Sequence, residues 1–124
     1  MSTTKYHKLV RDRIPEIIMQ SGKRPVYSIL SDEAYLTKLD EKLNEELAEY
    51  QGSKSMEELA DLLEVIRAVA VARGSSMDEV EAIRRDKAEK RGGFEKKIWS
   101  ESIRSSPFAA AHVSRMPSWK HRSA

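Results

Sequence analysis

Apolar residues recur at helical spacing in three long segments, and each segment is bounded by residues that begin or end helices. The first segment starts at Asp32 and stops at Gly52, and its apolar stripe consists of Leu36, Leu39, Leu43, Leu47 and Tyr50. The second runs from Ser55 to about Arg73, and the third from Ser76 to about Arg91. The second and third each open with a Ser-x-x-Glu capping box, which marks a helix N-terminus. The pattern therefore predicts three helices.

The first thirty residues carry a weaker pattern. Leu9 to Met19 has helical spacing with Pro15 near its start, where a first turn accepts proline. Ser21-Gly22 and Pro25 then break the chain, and Val26 to Leu30 alternates between apolar and polar residues. We expect a short first helix followed by an extended segment, which could form an edge strand.

Three or four helices with short polar connections predict an all-α fold, a small helical bundle. Residues 65–72 are apolar on nearly every side, which a single small bundle rarely needs. We therefore expect the bundle to be completed by oligomerisation. Residues 1–104 form the predicted domain. Residues 105–124 are basic and rich in serine, contain no acidic residue and have no periodicity, which predicts a flexible tail.

Composition excludes several classes of protein. None of the 124 residues is cysteine, so disulfide frameworks, thiolate metal sites and cysteine nucleophiles are ruled out. The longest apolar run, Ala68 to Ala72, is too short to span a membrane, and the first residues do not resemble a secretion signal. We expect a cytoplasmic protein that has no membrane partner.

The net charge of +2 results from blocks of opposite sign. Residues 1–24 carry a net charge of +4, residues 41–64 a net charge of −6, and residues 82–104 a net charge of +4. An ordinary solvated surface mixes its charges more evenly, so this segregation indicates a charged site.

Two carboxylate pairs in the acidic block have the spacing of metal ligands. On helical geometry, Glu46 and Glu49 lie along one edge of their stripe, and Glu58 and Asp61 lie along one edge of the next. Antiparallel packing of these helices would bring the four carboxylates together, an arrangement that needs a compensating charge. Mg²⁺ binds such oxygen ligands, and Mn²⁺ can replace it. The alternative is that these are ordinary acids flanking a buried face, with Glu58 serving only as a cap.

The basic blocks suit a polyphosphate ligand. Lys8 and Arg11 precede or open the predicted first helix, and Lys87 and Arg91 lie on the last one. Arginine can contact phosphate through two hydrogen bonds at once. The alternative for each of these residues is a solvated helix face.

Three motifs together resemble one enzyme family. The segment Tyr6–Ile18, the pairs Glu46-x-x-Glu49 and Glu58-x-x-Asp61, and the segment Lys87–Phe94 occur in the order found in the MazG-like and phosphoribosyl-ATP pyrophosphohydrolase-like group. The likeness covers about residues 5–99 and includes the all-α fold. Eight residues separate Glu49 from Glu58, fewer than in better-known members, so Glu45 is kept as a reserve ligand.

The resemblance implies a Mg²⁺-dependent nucleoside triphosphate pyrophosphohydrolase, active as a homodimer or homotetramer. Such an enzyme cleaves between the α and β phosphates and releases a nucleoside monophosphate and pyrophosphate, for example to cleanse the nucleotide pool. The metal ligands would be Glu46, Glu49, Glu58 and Asp61, with Glu46 or Glu49 activating water. Lys8, Arg11, Lys87 and Arg91 would bind the phosphates.

Two other functions compete with this one. The chain could be a non-catalytic interaction or regulatory module with the same fold. Nucleic-acid binding through the basic blocks is the weaker alternative, because the acidic block repels phosphates. The base and sugar of the nucleotide cannot be derived from these motifs.

Overall fold

The computed structural model describes residues 7–106, and within them it contains four helices and no strand. Helix α1 spans Ile14–Gln20, α2 spans Asp32–Ser53, α3 spans Met56–Ala72 and α4 spans Met77–Arg91. The all-α prediction is confirmed. None of the described helices is both long and apolar enough to cross a membrane.

Two predictions for the first thirty residues are wrong. Helix α1 begins at Ile14 and not at Leu9, with Pro15 in its first turn. A proline ring disfavours helical geometry at the residue before it and clashes within a helix interior, so the helix can start only beside Pro15. The segment from Val26 to Leu30 is not a strand. An edge strand needs a neighbouring strand to accept its hydrogen bonds, and the described residues contain none.

Helices α2 and α3 form a hairpin joined by Lys54 and Ser55 alone. Helix α2 continues through Gly52, its predicted end, because Lys54 adopts the left-handed conformation (φ 58°) that ends the helix. Its amide donates to the Tyr50 carbonyl at 2.7 Å. Ser55 then begins α3 as predicted, since its Oγ accepts a hydrogen bond from the Glu58 amide at 3.3 Å.

The apolar core between these helices is small. Among the described residues, the buried apolar side chains are Leu39 from α2 and Val65 and Ala70 from α3. The backbones of α2 and α3 pack along each other, whereas α4 packs against no other described helix. Leu63 and Val71 of α3 stay about half exposed. A single chain therefore leaves much of its apolar surface in water.

The chain divides into two compact units, with the boundary between Lys90 and Arg91. The first unit holds α1, the hairpin and nearly all of α4. In the second unit, residues 92–106 have no regular structure beyond a turn, and Phe94, Ile98, Trp99 and Ile103 are strongly exposed. The predicted tail from 105 onward lies almost entirely outside the described residues.

Candidate metal centre

The short connection between α2 and α3 brings two helix ends into contact, and each of them carries acidic side chains. Glu46 lies seven residues before the end of α2, and Asp61 lies five residues after the start of α3. At a rise of about 1.5 Å per residue, these positions are at similar depths below the turn. The hairpin therefore places the two carboxylate pairs side by side.

Carboxylate oxygens converge there in two overlapping triads. Glu46, Glu58 and Asp61 form one triad, and Glu45, Glu46 and Glu49 form the other. Within each triad, one oxygen from every residue lies within 4.8 Å of the others. Glu46 belongs to both triads and thus links the two helices. The structure brings together all four predicted ligands and also Glu45, which helical geometry placed on the outer face.

Burial separates this cluster from ordinary surface acids. Glu46 is only 7% exposed, and its Oε2 is buried without a hydrogen-bond partner among the described residues. The same is true of Oε2 of Glu58. An unpaired buried oxygen of an ionised carboxylate is costly, so these two atoms call for a cationic partner. Glu49, in contrast, is exposed at the rim of the cluster.

The Glu58 side chain is not used as a cap. In a full capping box, Glu58 would accept a hydrogen bond from the Ser55 amide. That amide donates instead to Ser53 Oγ, at 3.2 Å. Only the serine half of the predicted box forms, which leaves the Glu58 carboxylate to the cluster.

The surroundings of Glu58 favour its protonated form in the absence of a metal. Burial of its carboxyl raises the pKa above the ordinary value, and the negative charge of Glu49 and a hydrogen bond with it raise the pKa further. The charges of Asp61 and Glu46 act in the same direction. Repulsion of this kind is what a bound cation relieves.

Lys42 belongs to the carboxylate cluster, although it was not among the candidate residues predicted from the sequence. Its Nζ lies 3.0 Å from Glu45 Oε1 and 3.3 Å from Glu46 Oε1, and its side chain is mostly buried. Burial alone would lower the pKa of this ammonium, but hydrogen bonds and charges from the two glutamates outweigh it and raise the pKa. The spacing of three and four residues on one helix was a signal that could have identified Lys42.

Two of the predicted phosphate-binding residues reach the cluster from the segment before α1. Arg11 Nη2 donates to Asp61 Oδ1 at 2.7 Å, and Lys8 Nζ lies 3.7 Å from Glu45 Oε1. Both basic side chains remain substantially exposed. Lys8 contacts one triad through Glu45 and Arg11 contacts the other through Asp61, and their exposure leaves both within reach of a bound anion.

The other two predicted phosphate-binding residues are placed differently. Lys87 lies on α4, which does not pack against the hairpin, and Arg91 ends that helix. Elsewhere along α4 the charges pair with each other, for example Arg84 with Glu81 at 2.6 Å and Lys90 with Asp86 at 3.1 Å. Within one chain, the structure thus brings Lys8 and Arg11 to the carboxylates, but not Lys87.

Comparisons with known proteins give one partial relative. Over 46 residues the chain is 54% identical to an uncharacterized protein of Mycolicibacterium smegmatis. The match covers 37% of this chain and 47% of that protein, about half of its length. No protein-family model matches the chain, and no solved structure matches it.

Proposed function

We propose that the chain is a Mg²⁺-dependent nucleoside triphosphate pyrophosphohydrolase of the MazG-like type. It would act on a cytoplasmic nucleotide, cleave between the α and β phosphates, and release a nucleoside monophosphate and pyrophosphate. One observation carries the proposal: Glu46 and Glu58 each have a buried oxygen with no hydrogen-bond partner among residues 7–106, in a cluster that Asp61 completes. Basic side chains border the same cluster.

The residues present fit a hard divalent cation. Among the described residues, five carboxylates and three basic side chains meet in the cluster, which leaves an excess of two negative charges when all are ionised. The carboxylates are those of Glu45, Glu46, Glu49, Glu58 and Asp61, and the basic residues are Lys8, Arg11 and Lys42. An all-oxygen donor set of this charge suits Mg²⁺, with Mn²⁺ as a substitute. When bound, the ion supplies charge stabilisation at phosphate oxygens and an acidified water.

The difference in exposure between Glu46 and Glu49 supports Glu49 as the general base. Glu46 is buried and bonded to Lys42, whereas Glu49 is exposed at the rim of the cluster. A base must reach the water whose proton it takes, so the step falls to Glu49. The water oxygen forms a new bond to the phosphorus of the α phosphate, and Glu49 accepts the proton of that water. The bond from the same phosphorus to the oxygen that bridges the α and β phosphates breaks, and pyrophosphate leaves with that oxygen. Arg11 and Lys8 turn from the carboxylates to the charge on the leaving pyrophosphate.

A second copy of the chain completes both the core and the site. The three buried apolar side chains of the described residues are too few for a stable single chain, and Met56, Leu63 and Val71 of α3 face water. We infer a homodimer or homotetramer in which α4 of one chain covers this face of another, bringing Lys87 and Arg91 towards the neighbouring carboxylates. Sedimentation at micromolar concentration should show a dimer or tetramer, and a monomer would contradict this part of the proposal.

A non-catalytic interaction module is the second candidate. It is favoured by the strongly exposed side chains of Phe94, Ile98 and Trp99 in the second unit. Apolar groups of this size in water are typical of binding surfaces.

A panel of nucleoside triphosphates with pyrophosphate detection separates the two candidates. The enzyme should release pyrophosphate from at least one nucleotide with Mg²⁺, and EDTA, Glu58→Gln or Asp61→Asn should abolish the release. Glu57→Gln is the matched control, because Glu57 is exposed one position from Glu58. If no nucleotide is cleaved and Mg²⁺ leaves the melting temperature unchanged, the interaction module is the better description.

A further inference from the structure

The two carboxylate triads differ in what already occupies them. The Lys42 ammonium contacts two members of the triad of Glu45, Glu46 and Glu49, at Oε1 of Glu45 and Oε1 of Glu46. In the triad of Glu46, Glu58 and Asp61, Arg11 contacts only Oδ1 of Asp61, and Oε2 of Glu46 and Oε2 of Glu58 are buried with no hydrogen-bond partner among the described residues. Glu46 belongs to both triads: its Oε1 contacts the lysine, and its Oε2 is buried without a partner in the part of the chain that the structure describes.

We propose that Lys42 is a built-in cation that limits this centre to one divalent metal ion per chain. The inference rests on the proposed function, since it concerns the same carboxylates. Lys42 fills the position that a second ion would take, and by holding Oε1 of Glu46 it orients Oε2 towards Glu58 and Asp61. Glu45 is then the anchor of Lys42 and not a metal ligand.

The charges of the cluster agree with a single ion. With Lys42 present, the excess of two negative charges equals the charge of one divalent cation. Without Lys42 the excess is three, and a triad with two partly buried carboxylates loses the ammonium that neutralises it. A divalent ion is the natural replacement, because close carboxylates need a cation to remain ionised together.

Helix α2 offers a matched control one turn away. Lys38 bonds Glu41 at 3.1 Å with the same spacing of three residues as Lys42 and Glu45, but Lys38 and Glu41 are both exposed. Replacing Lys38 removes the same charge from the same helix without opening a carboxylate triad.

The test is the number of Mn²⁺ ions bound per chain, measured from the electron paramagnetic resonance signal of free Mn²⁺. The wild type should bind one ion, Lys42→Met two, and Lys42→Arg and Lys38→Met one each. The double variant Lys42→Met/Glu45→Gln should return to one, because the new position needs Glu45. Circular dichroism checks that each variant folds.

A second measurement keeps the inference testable if Lys42→Met does not fold. Glu45→Gln and Glu46→Gln should both raise the Kd for Mn²⁺. The fold-increase caused by Glu46→Gln should be at least ten times that caused by Glu45→Gln. Two ions in the wild type, one ion in folded Lys42→Met, or equal losses in the two glutamine variants would overturn the role of Lys42 and leave the proposed function in place. A wild type that binds no Mn²⁺ would overturn the proposed function, and this inference with it.

Discussion

The two ends of the α2–α3 hairpin carry their charges in opposite ways. Far from the connection, Asp40 of α2 meets Arg73 at the end of α3 in one exposed ion pair of 3.2 Å. Each charge there has one partner, and such a pair contributes about 0–1 kcal/mol. Near the connection, five carboxylates share three basic side chains, and two buried oxygens have no partner among the described residues.

The comparison shows what distinguishes a candidate site from a surface ion pair. Balanced, exposed charges need no explanation beyond solubility. An unbalanced group beside the core lowers the stability of the metal-free chain, so its presence points to a ligand that restores the balance. The following predictions change one end of the hairpin and use the other end, or an exposed neighbour, as the control.

The largest expected effect is the loss of activity on removing the shared carboxylate. Glu46→Gln should lower kcat/KM for the nucleotide by about 10³-fold, because metal stabilisation of the transition state is worth several kcal/mol. Asp40→Asn, which neutralises an exposed acid at the far end of the α2–α3 hairpin, should leave kcat/KM nearly unchanged. Equal losses in the two variants, measured by pyrophosphate release, would contradict the difference between the ends.

Arg11 should have the next largest effect. Arg11→Ala removes a charged hydrogen-bond donor beside the cluster, worth about 1.5–3 kcal/mol, so kcat/KM should fall about 10–100-fold. Arg73→Ala removes the arginine of the distant pair and should change kcat/KM less than about twofold. Steady-state kinetics on both variants give these kcat/KM values. An unchanged kcat/KM for Arg11→Ala would contradict the proposal that Arg11 binds the phosphates of the substrate.

The smallest effect concerns stability against pH in the metal-free protein. Because the pKa of Glu58 is raised by burial and then by Glu49, the native state holds a proton that the unfolded state releases above its ordinary pKa of 4.5. The wild type therefore loses stability as the pH rises through the raised pKa. Glu58→Gln cannot lose this proton, so its melting temperature in EDTA should exceed that of the wild type at neutral pH.

The difference between Glu58→Gln and the wild type should disappear in acid, below the ordinary glutamate pKa, where both states of the wild type are protonated. Mg²⁺ should raise the melting temperature of the wild type and leave that of Glu58→Gln almost unchanged. The control Glu57→Gln should follow the wild type at every pH. A wild type that is more stable than Glu58→Gln in EDTA at neutral pH would show that the repulsion is absent.

The parts of the fold that could be predicted are those that local sequence determines. Ser55 and Ser76 cap their helices as expected, because the hydroxyl and the amide it accepts from lie three residues apart in the chain. The edge positions of Glu46 and Asp61 followed from helical periodicity for the same reason. The prediction that required contact with a distant part of the chain was wrong: among the described residues, no strand lies beside Val26–Leu30 to form hydrogen bonds with it.

The carboxylates that cluster at the candidate site could be predicted, but the burial of Lys42 beside them could not. Lys42 belongs to a helix with many charged residues. In the sequence, Lys38 and Lys42 are each followed by a glutamate three positions later. Only the packing of α3 against α2 buries one pair and leaves the other in water. Under the proposed oligomer, the placement of Lys87 and Arg91 near carboxylates depends on a second chain, about which the periodicity of one chain carries no information.

The two-residue connection between α2 and α3 also bears on the order of events during folding. The five carboxylates and Lys42 fall within residues 42–61, so bringing them together requires closing only a short loop, which costs little chain entropy. Contacts of such low sequence separation form early in folding. The α2–α3 hairpin can therefore assemble before α1 and α4 have found their places, and under the proposed function a bound divalent ion would favour the folded hairpin from the start.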